Sequence, residues 1–363
     1  MRLLANKDDL TYWQLRAIRN EQQSHDDANA KVEVLIKAYL RAQKYLTGET
    51  QKIYQRYFTS EDMTEEQVAN ILNTRISPSE LVTLRALSEN VTDKQSKTEV
   101  KDYLSKLAAK GRITQLEELQ AKAYISAKSI ASVELEQSNG LYTKVVKDAW
   151  NQAQAEEVLA KSDVDITKLE KNYVPELNQA EKTIKIVNPD TGKTIKEVKA
   201  LPDKQIKLDK QLSDKYVKSA LDQKWHGASY SERIWNNTDK LSDKLQELFT
   251  SQQMSGMSER DMALAIQDEF NTGIFNATRL IRTEANYFHN QTKLKSWQKR
   301  GTKQYELVAI LDDRTSKICR HINGDVHDVK DAEVGVNYPP LHIQCRTVAV
   351  IYLKNSPYRR SKT

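Results

Sequence analysis

The residues best suited to chemistry lie between positions 305 and 352. This stretch contains both cysteines of the chain and three of its six histidines, namely Cys319, Cys345, His321, His327 and His342. Thiolate and imidazole are the usual protein ligands of zinc. We take Cys319, His342 and Cys345 as candidate metal ligands, because the spacing His342-x-x-Cys345 lets one turn present two of them.

A structural zinc site takes four ligands, so these three residues leave the identity of the fourth ligand undecided. His321 or His327 could supply it. The alternative interpretation is a metal-free module with two buried thiols, because cysteine is a common core residue.

A second candidate group is ionic. Glu284 lies beside the apolar stripe of a predicted helix, and a buried carboxylate needs a partner. Either Arg314 or Arg346 could bind it with bidentate geometry. We therefore predict a structural ion pair between Glu284 and one of these two arginines. A role for Glu284 as a general base lacks support, because no neighbouring nucleophile or second acid is identifiable. No phosphate-binding loop, dinucleotide fingerprint or nucleophile elbow is present, so we expect no catalytic residues and no enzyme.

The last ten residues carry a basic group. Lys354, Arg359, Arg360 and Lys362 occur there without an acidic residue. Phosphate contacts by such residues are independent of sequence and sensitive to salt. We therefore predict weak, non-specific DNA binding by this tail. A solvated tail without a partner is the alternative.

These residues must be positioned by mainly α-helical structure. Apolar residues recur at helical spacing through the first part of the chain, and a hairpin pattern surrounds N-P-D-T-G within 183–199. Helices are predicted from Ser229, from Ser258 to about residue 270 and over 276–299, with Asn271-Thr272-Gly273 as an interruption. Strands are predicted at 305–310 and 346–352. The expected fold has an extended helical N-terminal region and a small α+β C-terminal module.

The order of these patterns predicts four consecutive segments. They are a helical domain at 1–160, a hairpin-containing connector at 161–228, a C-terminal module at 229–353 and a basic tail at 354–363. The composition of 56 lysines and arginines against 50 acidic residues gives a net charge of only +6, which permits nucleic-acid contact without requiring it. No apolar run is long enough to cross a membrane, and two cysteines favour a reducing compartment.

Three motifs in order resemble a known family. R-L-I-R-T-E-A-N, Y-E-L-V-A-I-L-D-D-R-T-S-K-I-C and P-P-L-H-I-Q-C-R are similar to segments of the Mu F-like phage head morphogenesis proteins. In that family the turn usually reads D-x-R-T-C-x-x-C and is followed by P-P-x-H-x-x-C-R. The matching positions are Asp312, Arg314, Thr315, Cys319, Pro339, Pro340, His342, Cys345 and Arg346. Ser316 replaces the first cysteine of the turn, and serine is a poor zinc ligand.

The resemblance implies a minor capsid protein that acts in head morphogenesis. It implies few copies per particle, association with the portal protein and a role linked to DNA packaging. The protein is then expected in the virion, and in the host cytoplasm during assembly, without contact with a membrane. The major capsid protein or a scaffolding protein could be a further partner. The competing hypothesis is a metal-dependent nuclease that uses Asp312, Asp313, His321 and His327, although no motif orders these residues.

Overall fold

The fold is mainly α-helical, as the sequence predicts. The computed structural model describes residues 10–58, 63–162, 173–178, 180–199 and 212–352. Their helices are α1 (Tyr12–Tyr57), α2 (Glu65–Leu72), α3 (Pro78–Ser88), α4 (Lys94–Ala109), α5 (Gln115–Lys161), α6 (Asp214–Leu221), α7 (Tyr230–Leu248), α8 (Ser251–Gly256), α9 (Glu259–Arg300) and α10 (Lys317–Ile322).

The described strands form two small antiparallel sheets. The first has the order β1-β2-β3, with β1 (Val174–Asn178), β2 (Thr183–Val187) and β3 (Thr194–Lys199). The second has the order β5-β4-β6, with β4 (Gln304–Ala309), β5 (Val326–Asp328) and β6 (Thr347–Ile351). This second sheet lies in the region where the C-terminal α+β module is predicted, so the expected fold class is confirmed.

Two compact units make up the fold, and neither is one continuous stretch of chain. One is drawn from the described residues within 1–29, 141–223 and 282–363, and the other from those within 30–140 and 224–281. The boundaries of the four consecutive segments stay a prediction.

Several element boundaries follow the local signals. Ser229 caps α7 in a reciprocal capping box with Glu232, and Ser77 precedes Pro78 at the first position of α3. The predicted hairpin is present, because β2 and β3 pair from Thr183 opposite Lys199 to Val187 opposite Thr194.

The hairpin is fastened to a core through one strand. Ile184 and Ile186 of β2 are buried with Tyr12, Trp13 and Leu159, whereas β3 is mostly exposed. Strand β1 was not predicted, because its five residues include Pro175, which lacks the backbone N–H that interior strands use.

The predicted interruption at 271–273 is wrong. Helix α9 continues without a break through Asn271, Thr272 and Gly273. A Cβ built at Gly273 would lie 2.5 Å from the Tyr39 ring, so the glycine permits close packing. Glycine is tolerated within a helix at a cost of about 1 kcal/mol, and here the contact with Tyr39 offsets that cost.

Candidate metal site

The α+β module is attached to α9 by a stripe of buried polar side chains. Asn286 donates from Nδ2 to the carbonyl of Thr347 at 3.0 Å, and Asn290 accepts at Oδ1 from the backbone N–H of Ala349 at 3.1 Å. One turn further, Lys293 Nζ donates to the carbonyl of Ala349 at 2.9 Å. Strand β6 is at the edge of its sheet, so these side chains satisfy backbone groups that no neighbouring strand reaches.

The charge of Lys293 is also compensated. Its ammonium lies 2.7 Å from Oε1 of Glu156, and both side chains are almost fully buried. A buried ammonium that bonds a carboxylate and a carbonyl together fixes α9, α5 and β6 in one arrangement. This stripe was not predicted from the sequence, although the polar residues at positions 286, 290 and 293 follow the helical period.

The Asp-Asp-Arg-Thr turn after β4 is built around Asp312. Its carboxylate accepts two hydrogen bonds from Arg346, Nη1 to Oδ2 at 2.7 Å and Nη2 to Oδ1 at 2.5 Å. Oδ1 also accepts from the backbone N–H of Arg314 at 2.9 Å. The hydrogen bonds from Arg346 hold the pKa of Asp312 well below its usual range. The turn is therefore tied to the residue that directly precedes β6.

Both arginines that the sequence suggests as partners of Glu284 contact the carboxylate of Asp312. Arg346 binds Asp312 as described, and Arg314 contacts the same carboxylate at 3.3 Å through a side chain that is 70% exposed. Glu284 itself is buried on α9. The structure thus brings Arg314 and Arg346 together on Asp312, and the ion pair predicted for Glu284 stays a prediction. A single sequence holds no signal for the Asp312–Arg346 contact, which spans 34 positions.

The candidate ligands Cys319, His342 and Cys345 come together in space. Their ligand atoms all lie within 4.8 Å of one another. Sγ of Cys319 is 3.8 Å from Sγ of Cys345 and 3.0 Å from Nε2 of His342. Two sulfurs bound to one tetrahedral zinc at about 2.3 Å would stand about 3.8 Å apart. The spacing of the two thiols therefore matches that of two zinc-bound sulfurs. The imidazole would have to move outward, because Sγ of Cys319 and Nε2 of His342 stand 3.0 Å apart and two such ligands of one tetrahedral zinc stand about 3.6 Å apart.

The imidazole of His342 presents the nitrogen that a metal needs. Its Nδ1 lies 2.8 Å from the carbonyl oxygen of Ile343, which can only accept, so Nδ1 carries the proton. Nε2 of the neutral ring then presents its lone pair towards Cys319 and Ser316. Such a hydrogen bond from the second ring nitrogen to a carbonyl is the usual support of a zinc-bound histidine.

The turn that carries His342 is itself held by α9. Gln344 has a left-handed backbone, with φ of 58°, and its N–H donates to Oγ1 of Thr283 at 2.9 Å. The N–H of Cys345 donates to the carbonyl of His342 at 3.2 Å, so the two ligands share one tight turn. The turn thus places both residues of the His342-x-x-Cys345 pair on the same side of the cluster, as their spacing predicts.

Ser316 occupies the fourth side of the cluster. Its Oγ is 2.8 Å from Nε2 of His342 and accepts the backbone N–H of Cys319 at 3.1 Å. The serine therefore caps α10 and stands where the family pattern has a cysteine. If Cys319, His342 and Cys345 held a zinc ion, this hydroxyl or water would have to complete its coordination.

The two thiols are electrostatically unequal. Hydrogen bonding from Cys345 lowers the pKa of Cys319 to about 5, and the same interaction with Cys319 raises the pKa of Cys345. The interaction thus favours the thiolate form of Cys319 over that of Cys345. A thiolate is the form that binds a metal.

The other two histidines of the segment are elsewhere. In the part of the chain that the structure describes, the cluster of potential ligands contains neither His321, which is exposed, nor His327, whose ring lies 5.7 Å from that of Tyr305. Neither supplies the fourth ligand in this arrangement. The four basic residues of the predicted DNA-binding tail, Lys354, Arg359, Arg360 and Lys362, lie outside the described residues.

No described helix combines the length and the apolar character that crossing a lipid bilayer requires.

Comparison with known proteins identifies the segment that contains this site. Residues 243–350 match the family model described as phage Mu protein F like protein. No curated protein and no solved structure matches the chain. The matched residues include the polar stripe of α9, the Asp312 turn and the Cys/His cluster, and the match confirms the resemblance seen in the three motifs. This C-terminal segment therefore belongs to the phage Mu protein F-like family.

Proposed function

We propose that the chain is a minor capsid protein of a tailed phage. The family match at residues 243–350 carries the proposal, because it supports a role in phage head morphogenesis. In finer detail, the protein is present in few copies in the virion, associates with the portal protein during assembly in the host cytoplasm, and contacts DNA only weakly. The major capsid protein or a scaffolding protein is a second potential partner.

The construction of the module supports a structural role. The Asp312 turn is held by the Asp312–Arg346 pair, and the turn His342–Cys345 contacts α10 through Cys319 and His342. The edge strand β6 is bound by side chains of α9. In this proposal a zinc ion held by Cys319, His342 and Cys345 would fasten these turns further, without taking part in a reaction. Rigid turns of this kind suit a docking module.

A metal-dependent nuclease is the less favoured alternative. Such an enzyme needs carboxylates or a histidine free to bind a metal beside the phosphate. The carboxylate of Asp312 is instead engaged by Arg346, and among the described residues Asp313, His321 and His327 do not join a metal-binding group. A cleavage assay on plasmid DNA with Mg²⁺, Mn²⁺ and Zn²⁺ separates the hypotheses, and cleavage would favour the enzyme.

Co-purification tests the proposed partner. An affinity-tagged full-length chain expressed during infection should recover the portal protein, whereas a tagged unrelated phage protein should not. The matched variants Arg346→Gln and Arg314→Gln show whether a correctly folded module is needed, since only Arg346 is largely buried on Asp312. Recovery of the major capsid protein without portal protein would contradict the proposal.

A further inference from the structure

The surface around the Cys/His cluster carries an excess of basic residues and exposed apolar side chains. We define the α10 face as Arg314, Lys317, Ile318, Arg320 and Ile343, all of which are exposed. Ile318 precedes Cys319 and Ile343 follows His342, and these two ligand residues are 3.0 Å apart. The exposed isoleucines therefore lie on neighbouring segments of one surface.

The apolar residues of this face, Ile318 and Ile343, are exposed to solvent beside the Cys/His cluster. Ile318 and Ile343 are each 54% exposed, although Ile318 precedes the buried Cys319 and Ile343 follows the half-buried His342. Single exposed apolar residues are common on protein surfaces, whereas exposed apolar side chains that adjoin one another mark interaction sites. Because Cys319, His342 and Thr283 fix both turns, docking here would order little additional chain.

Among the described residues of this face and the Asp312 turn, the cations Arg314, Lys317, Arg320 and Arg346 outnumber the carboxylates of Asp312 and Asp313. Arg314 shares the carboxylate of Asp312 with Arg346, and Arg320 donates to the backbone carbonyls of Asp312 and Thr315. The exposed Asp313 is the acidic residue nearest in sequence.

A further arginine adds to this charge. Arg282 of α9 is bound at Nε and Nη2 by the amide oxygen of Asn29, a neutral acceptor, at 3.0 and 2.8 Å. The positive charge of Arg314 is close enough to add to the lowering of the Arg282 pKa that burial causes. Arg282 of α9 thus lies close enough to Arg314 of the Asp312 turn to add to the positive charge of this region.

We propose that the α10 face is a docking surface for an acidic segment of another protein that presents apolar side chains between its carboxylates. The isoleucines supply the apolar contact, and Arg314, Lys317 and Arg320 supply donors for carboxylates around it. A nucleic acid would use the cations and leave Ile318 and Ile343 without a partner. The inference depends on this surface alone, so its failure leaves portal association standing, and the reverse also holds.

A defined peptide tests the proposal with the full-length chain. The probe is a fluorescent octapeptide of alternating glutamate and leucine, blocked at both ends, and the comparison peptide has lysine in place of glutamate. Fluorescence anisotropy should show saturable binding of the glutamate peptide that weakens as salt rises. Binding that is absent, or equal for both peptides, overturns the proposal.

Variants locate the binding to the face. Ile318→Ser with Ile343→Ser, and Arg314→Gln with Lys317→Gln, should each weaken binding at least ten-fold. The control Val336→Ser with Lys330→Gln alters equally exposed residues of the same module and should change binding less than two-fold. Unchanged circular dichroism of each variant shows that folding is retained.

Two further outcomes would assign the face to another occupant and so overturn the proposal. One is that duplex DNA displaces the peptide and binds the Ile318→Ser, Ile343→Ser variant as well as it binds the unaltered chain. The other is that the isoleucine variants convert an oligomer of this chain into monomers on size-exclusion chromatography with light scattering.

Discussion

The two arginines on Asp312 offer a matched test of how the module is held together. Arg346 makes a bidentate pair with contacts of 2.7 and 2.5 Å, and its side chain is 11% exposed. Arg314 makes one contact of 3.3 Å through a side chain that is 70% exposed. Replacing either by glutamine removes the same charge from the same carboxylate, so only burial and geometry differ.

The expected magnitudes follow from these environments. Exposed ion pairs contribute about 0–1 kcal/mol to stability, and breaking a fully buried pair costs about 3–5 kcal/mol. Asp312 is partly exposed, with 26% of its side chain accessible, so Arg346→Gln should cost about 2 kcal/mol of the free energy of unfolding. Arg314→Gln should cost less than about 0.5 kcal/mol.

Urea unfolding with hydrogen exchange of the peptide 304–351 measures both effects. The Arg346→Gln variant should lose protection in β4 and β6, whereas the Arg314→Gln variant should exchange like the unaltered chain. Equal destabilisation by the two variants, or none by Arg346→Gln, would refute the assignment of Arg346 as the partner that holds the turn.

The pH dependence of the same pair has a fixed sign. Hydrogen bonds from Arg346 lower the pKa of Asp312 in the folded chain. Its contribution to stability is therefore complete above the usual aspartate pKa of about 4 and is lost as the pH falls through the lower folded value. The stability difference between the unaltered chain and Arg346→Gln should shrink below about pH 4.

Three other predictions concern separate parts of the molecule. Burial raises the pKa of Glu21 to about 8. The folded chain therefore favours the protonated carboxyl, and it loses stability as the pH rises from about 4.5 to 8. Glu21→Gln should raise the melting temperature at pH 8.5 and leave it nearly unchanged at pH 4. Ser316→Cys should supply a fourth ligand and tighten zinc binding at least ten-fold in a chelator competition, and equal affinity would argue against a metal at this cluster. Gly273→Ala should destabilise the fold by about 1–3 kcal/mol, because its Cβ meets Tyr39, whereas Gly140→Ala, with nothing within 4 Å, should stabilise it by up to about 1 kcal/mol in thermal unfolding.

Local signals predicted those elements whose cause is local. The Ser229 capping box starts α7, and the turn at N-P-D-T-G joins β2 to β3, because a few adjacent residues determine each of these features. The same reasoning failed at Gly273, where the close contact with Tyr39 favours a continuous α9 over the break that glycine usually indicates. Strand β1 was missed since Pro175 obscures its pattern.

The candidate site divides in the same way. The spacing of Cys319, His342 and Cys345 identified residues that the structure does bring together. The carboxylate partner of Arg346 could not be chosen from one sequence, because Asp312, Asp313 and Glu284 are chemically equivalent until the chain folds. Likewise, the role of the polar residues at positions 286, 290 and 293 of α9 becomes clear only when β6 packs against them.

Portal-dependent incorporation tests the proposal that this chain is a portal-associated head protein. Procapsids would be purified from cells infected with a phage that makes portal protein and with one that lacks it, and the copies of this chain per particle would be counted by quantitative mass spectrometry against the major capsid protein. The account predicts a few copies per particle with portal protein and none above background without it. Equal incorporation into particles that lack the portal protein would contradict it.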